Sequence, residues 1–496
     1  MLVTVDSTLE EVAPRVANLL VANESKTLEF KRVSNQMVSK ALTAISAFAN
    51  SEGGILVLGL ADNKQETGKA RLYGVEENAE SFDDLVRKLN THITPVIDRL
   101  YAYRWPCRLR DSSLGHVVLV HVIKSDKVHS IIDGGTWKRM DSSSRHMSAA
   151  EVTELSYQRG MRSAEAESIG IDFGLLQTNT WLSFLSARGL KTGSFTEQLE
   201  RIGLAVKVEN RTLPTRAAVL LFAEEPGGLL AAHGTRADIR LMVYEGKQIV
   251  PGAIPNLRKT PKTIHGPLVE QIDLAVKMVL DELSYGLTLA SSGFKTKHSY
   301  PERVVKEAIV NAVIHRDYRL NRDIFIRIFD DRIEIESPGV FPGSITPANV
   351  SKLGSKARNP LIAKNLREFP VPPNIDAGEG VKMMFAEMAQ AMLYPPQYRQ
   401  NTESEIESVT LTLLNAERPT IWDEVSHWID TRGEIVNAEL CQIAKVHTLA
   451  ASRVLKSWVE QGVLIPLPDR GKRNMAYTKP TQPEETNLLS EVKDNK

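Results

Sequence analysis

A chain of 496 residues is too long for a single hydrophobic core, so roughly three or four domains are expected. Lys plus Arg (61) equals Asp plus Glu (61), so any nucleic-acid surface has to be a local patch rather than a global field. The two cysteines, Cys107 and Cys441, lie far apart without CxxC spacing, which argues against a disulfide framework or a structural zinc. No leader pattern opens the chain and no apolar run approaches about 18 residues, so a cytoplasmic protein with no membrane partner is expected.

Up to about Leu20 the pattern predicts a short amphipathic helix. An α/β module follows, with a strand at Leu28 to Lys31, a helix at Met37 to Asn50 and a buried strand at Gly54 to Leu60. A helix at Ser81 to Ile93 and strands at Tyr101 to Leu109 and His116 to Val122 complete it. In the middle region, Trp181 to Ala187 reads as a helix, Leu199 to Leu213 as winged-helix-like, and Ala217 to Phe222 as an apolar strand. Leu268 to Leu283 is a long amphipathic helix.

The segment from Glu307 to His315 holds the most informative pattern. Glu307, Asn311 and His315 recur every four residues, a drift of about 40° per step, so they line one edge of a helix whose other positions are mostly apolar. A carboxylate and an amide on a helix packed into a core need partners, because a buried unpaired charge is costly. A nucleotide with its magnesium ion would supply them. Strands at Ile324 to Phe329 and Ile333 to Glu336 follow, then a span from Ser337 to Asn374 dense in Gly, Pro and Asn, as a nucleotide lid requires.

Near the C-terminus, Asp423 to Asp430, Asn437 to Ala444 and Thr448 to Gln461 read as three helices, with Asn437 and Thr448 as N-caps. Val463 to Pro466 and Asn474 to Thr478 would form a wing with Arg470-Gly-Lys-Arg473 at its tip, giving a winged helix-turn-helix. Its second motif helix would present Ser452, Arg453 and Lys456 to a DNA major groove, while Arg470, Lys472 and Arg473 touch phosphate.

Two sets of residues carry a resemblance. Glu307 and Asn311 resemble the glutamate and asparagine of the N box in GHKL ATPases, the superfamily of gyrase, MutL and histidine kinases. Together with Ser337-Pro338-Gly339, Arg358-Asn359-Pro360 and Gly378-Glu-Gly380, the string from Glu307 to Tyr318 is similar to a divergent branch. That branch occurs in bacterial and archaeal Schlafen/AlbA-type transcriptional regulators, often labelled RecG-like helicases. The likeness implies an ATP and magnesium site: Glu307 polarises the attacking water, Asn311 holds the ion, and His315 faces the lid. Gly378, Gly380 and Lys382 would meet the phosphates at the start of a helix from Val381 to Met392. Ser337 and Gly339 fall where such ATPases place the aspartate that reads adenine, with Glu336 adjacent. No GxxxxGK[ST] loop occurs, so a helicase motor is not expected.

The second set, Glu24 to Lys31 with Ala47 to Asn50, Gly53-Gly54 and Leu58 to Asp62, resembles the Schlafen/AlbA-like nucleic-acid-binding domain. Lys31, Arg32, Lys138, Arg139 and Arg145 are candidate backbone contacts, with Trp137 available for stacking. The resemblance also offers an alternative, a metal-dependent nuclease acting on RNA or single-stranded DNA in defence against foreign nucleic acid. Its residues would be Glu24, Glu29, Asp62 and Lys31.

The expected architecture is therefore a multidomain α/β (α+β) protein. It comprises a Schlafen/AlbA-like module at 1–150, a middle α+β connector at 151–290, a GHKL-type α/β sandwich at 291–400, a winged helix at 401–480 and a disordered tail at 481–496. The expected function is a nucleotide-responsive DNA-binding regulator, with ATP and magnesium as cofactors, DNA or RNA as partner, and a homo-oligomeric state implied by the resemblance.

Overall fold

The computed structural model describes residues 3–6, 8–34, 36–64, 66–250, 255–290, 293–343, 345–352, 357–373, 379–402, 405–467 and 475–480. The fold is mixed α/β, and the chain forms two compact units, one built on residues up to Arg162 and the other on residues from Ser163 onward.

The first unit opens on strand β1 (Val3–Asp6) and helix α1 (Leu9–Val21), so the stretch expected as one amphipathic helix is a strand and then a helix. Thr8 separates them by a capping box: its side chain accepts from the Glu11 amide at 3.4 Å, and the Glu11 carboxylate accepts from the Thr8 amide at 3.0 Å. Strand β2 (Leu28–Lys31), helix α2 (Met37–Asn50) and strand β3 (Gly54–Leu58) follow as expected, with β2 and β3 parallel across the helical crossover. Helix α3 (Ala79–Thr91), β4 (Ile93–Thr94), the antiparallel pair β5 (Leu100–Arg108) and β6 (Leu114–Val122), β7 (Ser130–Ile131), β8 (Gly135–Met140), β9 (Ser143–His146) and α4 (Ala149–Gln158) complete it.

The main sheet runs β1-β5-β6-β3-β2, and a second runs β4-β7-β8-β9. Alternation along β6 explains why the main sheet is enclosed on both faces: Val118, Val120 and Val122 enter the core with α2 and α3, while Val117 and Leu119 enter the core with α1. Asn50, at the end of α2, fastens the second sheet by donating to the carbonyls of His129 at 2.8 Å and Trp137 at 2.9 Å.

The second unit begins with α5 (Asn179–Arg188), α6 (Phe195–Arg201) and the hairpin β10 (Ala205–Val208) with β11 (Arg211–Pro214), so the stretch expected as winged-helix-like is one helix and a hairpin. The run expected as the strand Ala217 to Phe222 is helix α7 (Arg216–Phe222). It is buried on every side, which removes the periodicity that separates a buried helix from a buried strand. Thr215 supplies the missing cue as N-cap, accepting from the Ala218 amide at 3.3 Å.

The chain continues through α8 (Pro226–Ala231), β12 (Ile239–Val243), β13 (Lys262–Ile264), α9 (Leu268–Leu283), β14 (Ser284–Ala290), β15 (Gly293–His298) and α10 (Glu302–His315). Strands β16 (Ile324–Ile328) and β17 (Arg332–Pro338), helices α11 (Pro360–Leu366) and α12 (Gly380–Gln390), and strands β18 (Gln397–Asn401) and β19 (Ser408–Leu414) come next. The large sheet has the order β13-β12-β16-β17-β19-β18, with β12 parallel to β16. Ile239, Leu241 and Val243 line up with Ile324, Ile326 and Ile328, and this apolar face joins α9, α10 and α12 in one core. That core runs from Ile169 to Leu413, so the regions expected at 151–290 and 291–400 share it.

The last elements are α13 (Trp422–Arg432), β20 (Ile435–Val436), α14 (Asn437–Ala444), α15 (Thr448–Glu460), β21 (Ile465–Pro466) and β22 (Ala476–Thr478), with sheet order β20-β22-β21. Val436 and His447 precede α14 and α15, so the expected caps Asn437 and Thr448 are instead the first helical residues. The Asn437 amide is spent between the helices, donating to Ser452 Oγ at 2.7 Å. Trp422 and Trp458 meet edge to face at 5.2 Å, and the Trp458 indole donates to the Tyr394 hydroxyl at 3.0 Å.

Candidate functional site

Helix α10 packs among α9, α12 and β17, and eight of its apolar residues, Val304 to Ile314, are buried. Glu307, Asn311 and His315 are each half-buried, as a polar edge at a pocket wall requires. Asn311 Nδ2 donates to Glu307 Oε1 at 3.0 Å, which leaves the amide carbonyl as the atom suited to a cation. Gly380, the first residue of α12, lies directly on this carboxylate: a Cβ there would fall 1.7 Å from Glu307 Oε1. Any larger residue there would force the Glu307 carboxylate to move. Met384 is fully buried beneath the pair, its sulfur 4.0 Å from both Asn311 Nδ2 and the Tyr398 hydroxyl. Burial and the Glu307 charge push the Tyr398 hydroxyl far above its ordinary range, so it stays protonated. Tyr398 and Met384 carry no motif; only the pairing of β18 with β19 brings Tyr398 here.

The remaining expected residues are placed differently. His315 lies beside Arg358; burial and that guanidinium push its pKa down to about 4, and its Nδ1 has no hydrogen-bond partner among the described residues. The Ser337 hydroxyl donates to the Ala312 carbonyl of α10 at 2.8 Å, so it serves the helix backbone. Gly339 has φ +108° and packs against Asp317, where a Cβ would meet the Asp317 Cβ at 2.9 Å. Glu336 is held by Arg322 at 2.8 Å and Arg327 at 2.7 Å, which keeps it ionised and occupied. Lys382 is exposed on α12, and Gly378 lies outside the described residues.

The carboxylate, amide and helix N-terminus thus fit the phosphate and metal end of a nucleotide site. Where the resemblance would put the residue that reads adenine, Glu336 and Ser337 are already engaged.

In the first unit, Glu24, Glu29 and Lys31 come together. Lys31 Nζ lies 2.6 Å from Glu29 and 3.7 Å from Glu24, whose carboxylate accepts from the Phe30 amide at 3.1 Å. Glu29 is 7% exposed and also bound by the buried Arg139, which reaches the carbonyls of Ser25 and Leu28 as well. Asp62 accepts from the Lys64 amide at 3.2 Å in a turn. Among the described residues, no group of three or more His, Cys, Asp or Glu is placed to hold a metal ion. The other expected cations are also paired. Arg32 binds Glu77 and stacks on Tyr73 at 3.7 Å, while Lys138 and Arg145 share Glu151 at 2.6 and 2.5 Å. Trp137 donates to the Gly134 carbonyl and packs edge-on to His146, as a strand anchor does.

On α15, Ser452, Arg453 and Lys456 are exposed along one face, and Ala451, Leu455 and Trp458 are buried on the other. Arg470, Lys472 and Arg473 lie outside the described residues.

Residues 24–148 match the family model described as "Schlafen, AlbA_2", and residues 321–413 match the one described as "Putative ATP-dependent DNA helicase recG C-terminal". The chain carries a Schlafen/AlbA-type domain and an ATPase-like domain. The AlbA-type match runs from the loop before β2 to β9, and the ATPase-like match covers β16 to β19, beginning after α10. The crystal structure of the DIP2311 protein from Corynebacterium diphtheriae is similar over 95% of this chain and 97% of that one, with 18% identity and a TM-score of 0.40. No curated protein matches. Among the described residues, no helix is long and apolar enough to cross a membrane.

Proposed function

We propose that this protein is a nucleotide-responsive nucleic-acid-binding regulator, in which the ATPase-like domain binds ATP with magnesium and governs DNA binding. The observation that carries this reading is the Glu307–Asn311 pair, 3.0 Å apart and pressed against Gly380 at the start of α12. Bound magnesium would neutralise charge on the phosphates. Asn311 would hold it through the side-chain carbonyl, Glu307 would orient a water, and the first amides of α12 would face phosphate oxygen. The fold around Gly380 leaves backbone alone at that approach.

The helix and strand order from Trp422 to Thr478, with Ser452, Arg453 and Lys456 exposed on α15, supports a winged helix as the DNA reader. A binding role is favoured over nuclease chemistry for the AlbA-type domain, because Glu29 is neutralised by Arg139 and Lys31.

The reading is tested by melting the full chain with a non-hydrolysable ATP analogue and magnesium. At 100 times the dissociation constant, the ligand stabilises by about 2.7 kcal/mol. Wild type is expected to shift upward and Asn311→Ala is not; equal melts for the two would defeat the nucleotide reading. In a duplex-binding titration, replacing Arg453 and Lys456 by alanine should lower the slope of log affinity against log salt by about 1.8. An unchanged slope would remove α15 from the interface.

A further inference from the structure

Helix α10 ends without the usual device. Arg316, the residue after it, has φ −57° and ψ 143°, an extended conformation that forms no left-handed closure over the last turn. The carbonyls there would be left without partners. The Ser337 and Tyr318 hydroxyls donate to the carbonyls of Ala312 at 2.8 Å and Val313 at 3.1 Å, and two consecutive side chains from the loop after β17 take the last ones. Asn359 Nδ2 donates to the carbonyls of Ile314 at 2.8 Å and Arg316 at 2.7 Å, and Arg358 Nε donates to the carbonyl of His315 at 3.1 Å.

Asn359 is 1% exposed, so water cannot replace it, and the Arg358 guanidinium also binds the Val340 carbonyl and reaches Asp317 at 3.4 Å. The dipeptide is fixed from its other side too. It leads into α11, whose Leu361 and Ile362 amides donate to the buried Glu165 carboxylate at 2.8 and 2.7 Å.

We infer that Asn359, together with Arg358, is a positioning residue for the metal end of the nucleotide site: it sets the axial place of α10, and with it Asn311, one turn upstream. The inference rests on the proposed nucleotide site. Arg358 and Asn359 then act on that site through the end of the helix, so a change in their bonds is read as a displacement of Asn311 and Glu307.

The test separates positioning from ordinary capping. Affinity of the full chain for a non-hydrolysable ATP analogue is measured calorimetrically with magnesium and with EDTA, for wild type, Asn359→Asp and Arg358→Met. Aspartate keeps the shape but cannot donate to two carbonyls, and methionine keeps the stem without the Nε–H. Residues that orient a metal ligand typically alter metal affinity by about 10-fold or more. The magnesium-dependent gain in affinity is therefore expected to fall by about 10-fold in either variant that folds, with the EDTA affinity unchanged. A proportionate loss with and without magnesium, or no loss, overturns the inference while leaving the nucleotide site intact. A wild type that binds no nucleotide overturns both.

Discussion

Glu165 is the buried carboxylate whose behaviour can be worked out most fully. It is 0% exposed and, among the described residues, no cation pairs with it; its partners are the amides of Leu361 and Ile362 and the Ser163 hydroxyl at 3.2 Å. Loss of hydration outweighs those bonds and pushes its pKa from 4.5 up to about 7. The sign follows from which state releases the proton first. Below pH 4.5 both states are protonated and stability is full; between 4.5 and 7 the unfolded chain ionises first, so stability falls as pH rises and then levels off.

Integrating between pH 5 and pH 8 gives a loss of about 2.5 kcal/mol from this one group. Glu165→Gln cannot ionise and lacks that loss, although it gives up one of the two amide bonds. Urea unfolding of both proteins at a series of pH values from 5 to 8, followed by tryptophan emission, isolates the effect because every other titration is shared. The wild-type stability should drop relative to the variant by about 2.5 kcal/mol across the range. Parallel curves would refute the reasoning.

Other outcomes follow from the same structure. Glu29→Gln should destabilise the first unit by about 3–5 kcal/mol by stranding the buried Arg139, a loss read as a lower melting temperature; an unchanged melt would show that the pair is not structural. Gly380→Ala places a Cβ on Glu307 Oε1, so the melting shift produced by nucleotide and magnesium should vanish although the fold survives by circular dichroism. A full shift in that variant would separate Gly380 from the site. His315, held near pKa 4 by burial and Arg358, contributes stability above about pH 6.5 that is lost as pH falls toward 4. His315→Phe should flatten that limb of the pH profile in urea titrations.

The polar edge of α10 was legible because a strong 3.6-residue period survives whatever surrounds it, and the same holds for α9, whose limits Leu268 and Leu283 agree with expectation. The Ala217 to Phe222 run was not, since full burial erases the period and Thr215 alone marks the helix start. Candidate cations were harder still. Lys31, Arg139 and Arg145 look available in sequence, yet their partners Glu29 and Glu151 are fixed only by strand pairing and helix placement. Likewise Arg358-Asn359-Pro360 stood out as a string, but its bonds to Ile314, His315 and Arg316 span more than 40 residues, and no local rule reports them. Ser337 shows the converse: a position singled out for a ligand has its hydroxyl committed to the Ala312 carbonyl.

The parallel pairing of β12 with β16 bears on how this protein can be cut or recombined. Residues 321–413, the stretch matched as an ATPase-like domain, supply β16 to β19, but the neighbour of β16 in the sheet comes from residues 239–243. A gene fragment starting near residue 291 would expose a bare strand edge rich in isoleucine, an invitation to aggregate. The transferable cassette starts near Ser163, and exchanges between relatives that preserve function should join there rather than at the border of the recognised sequence motif.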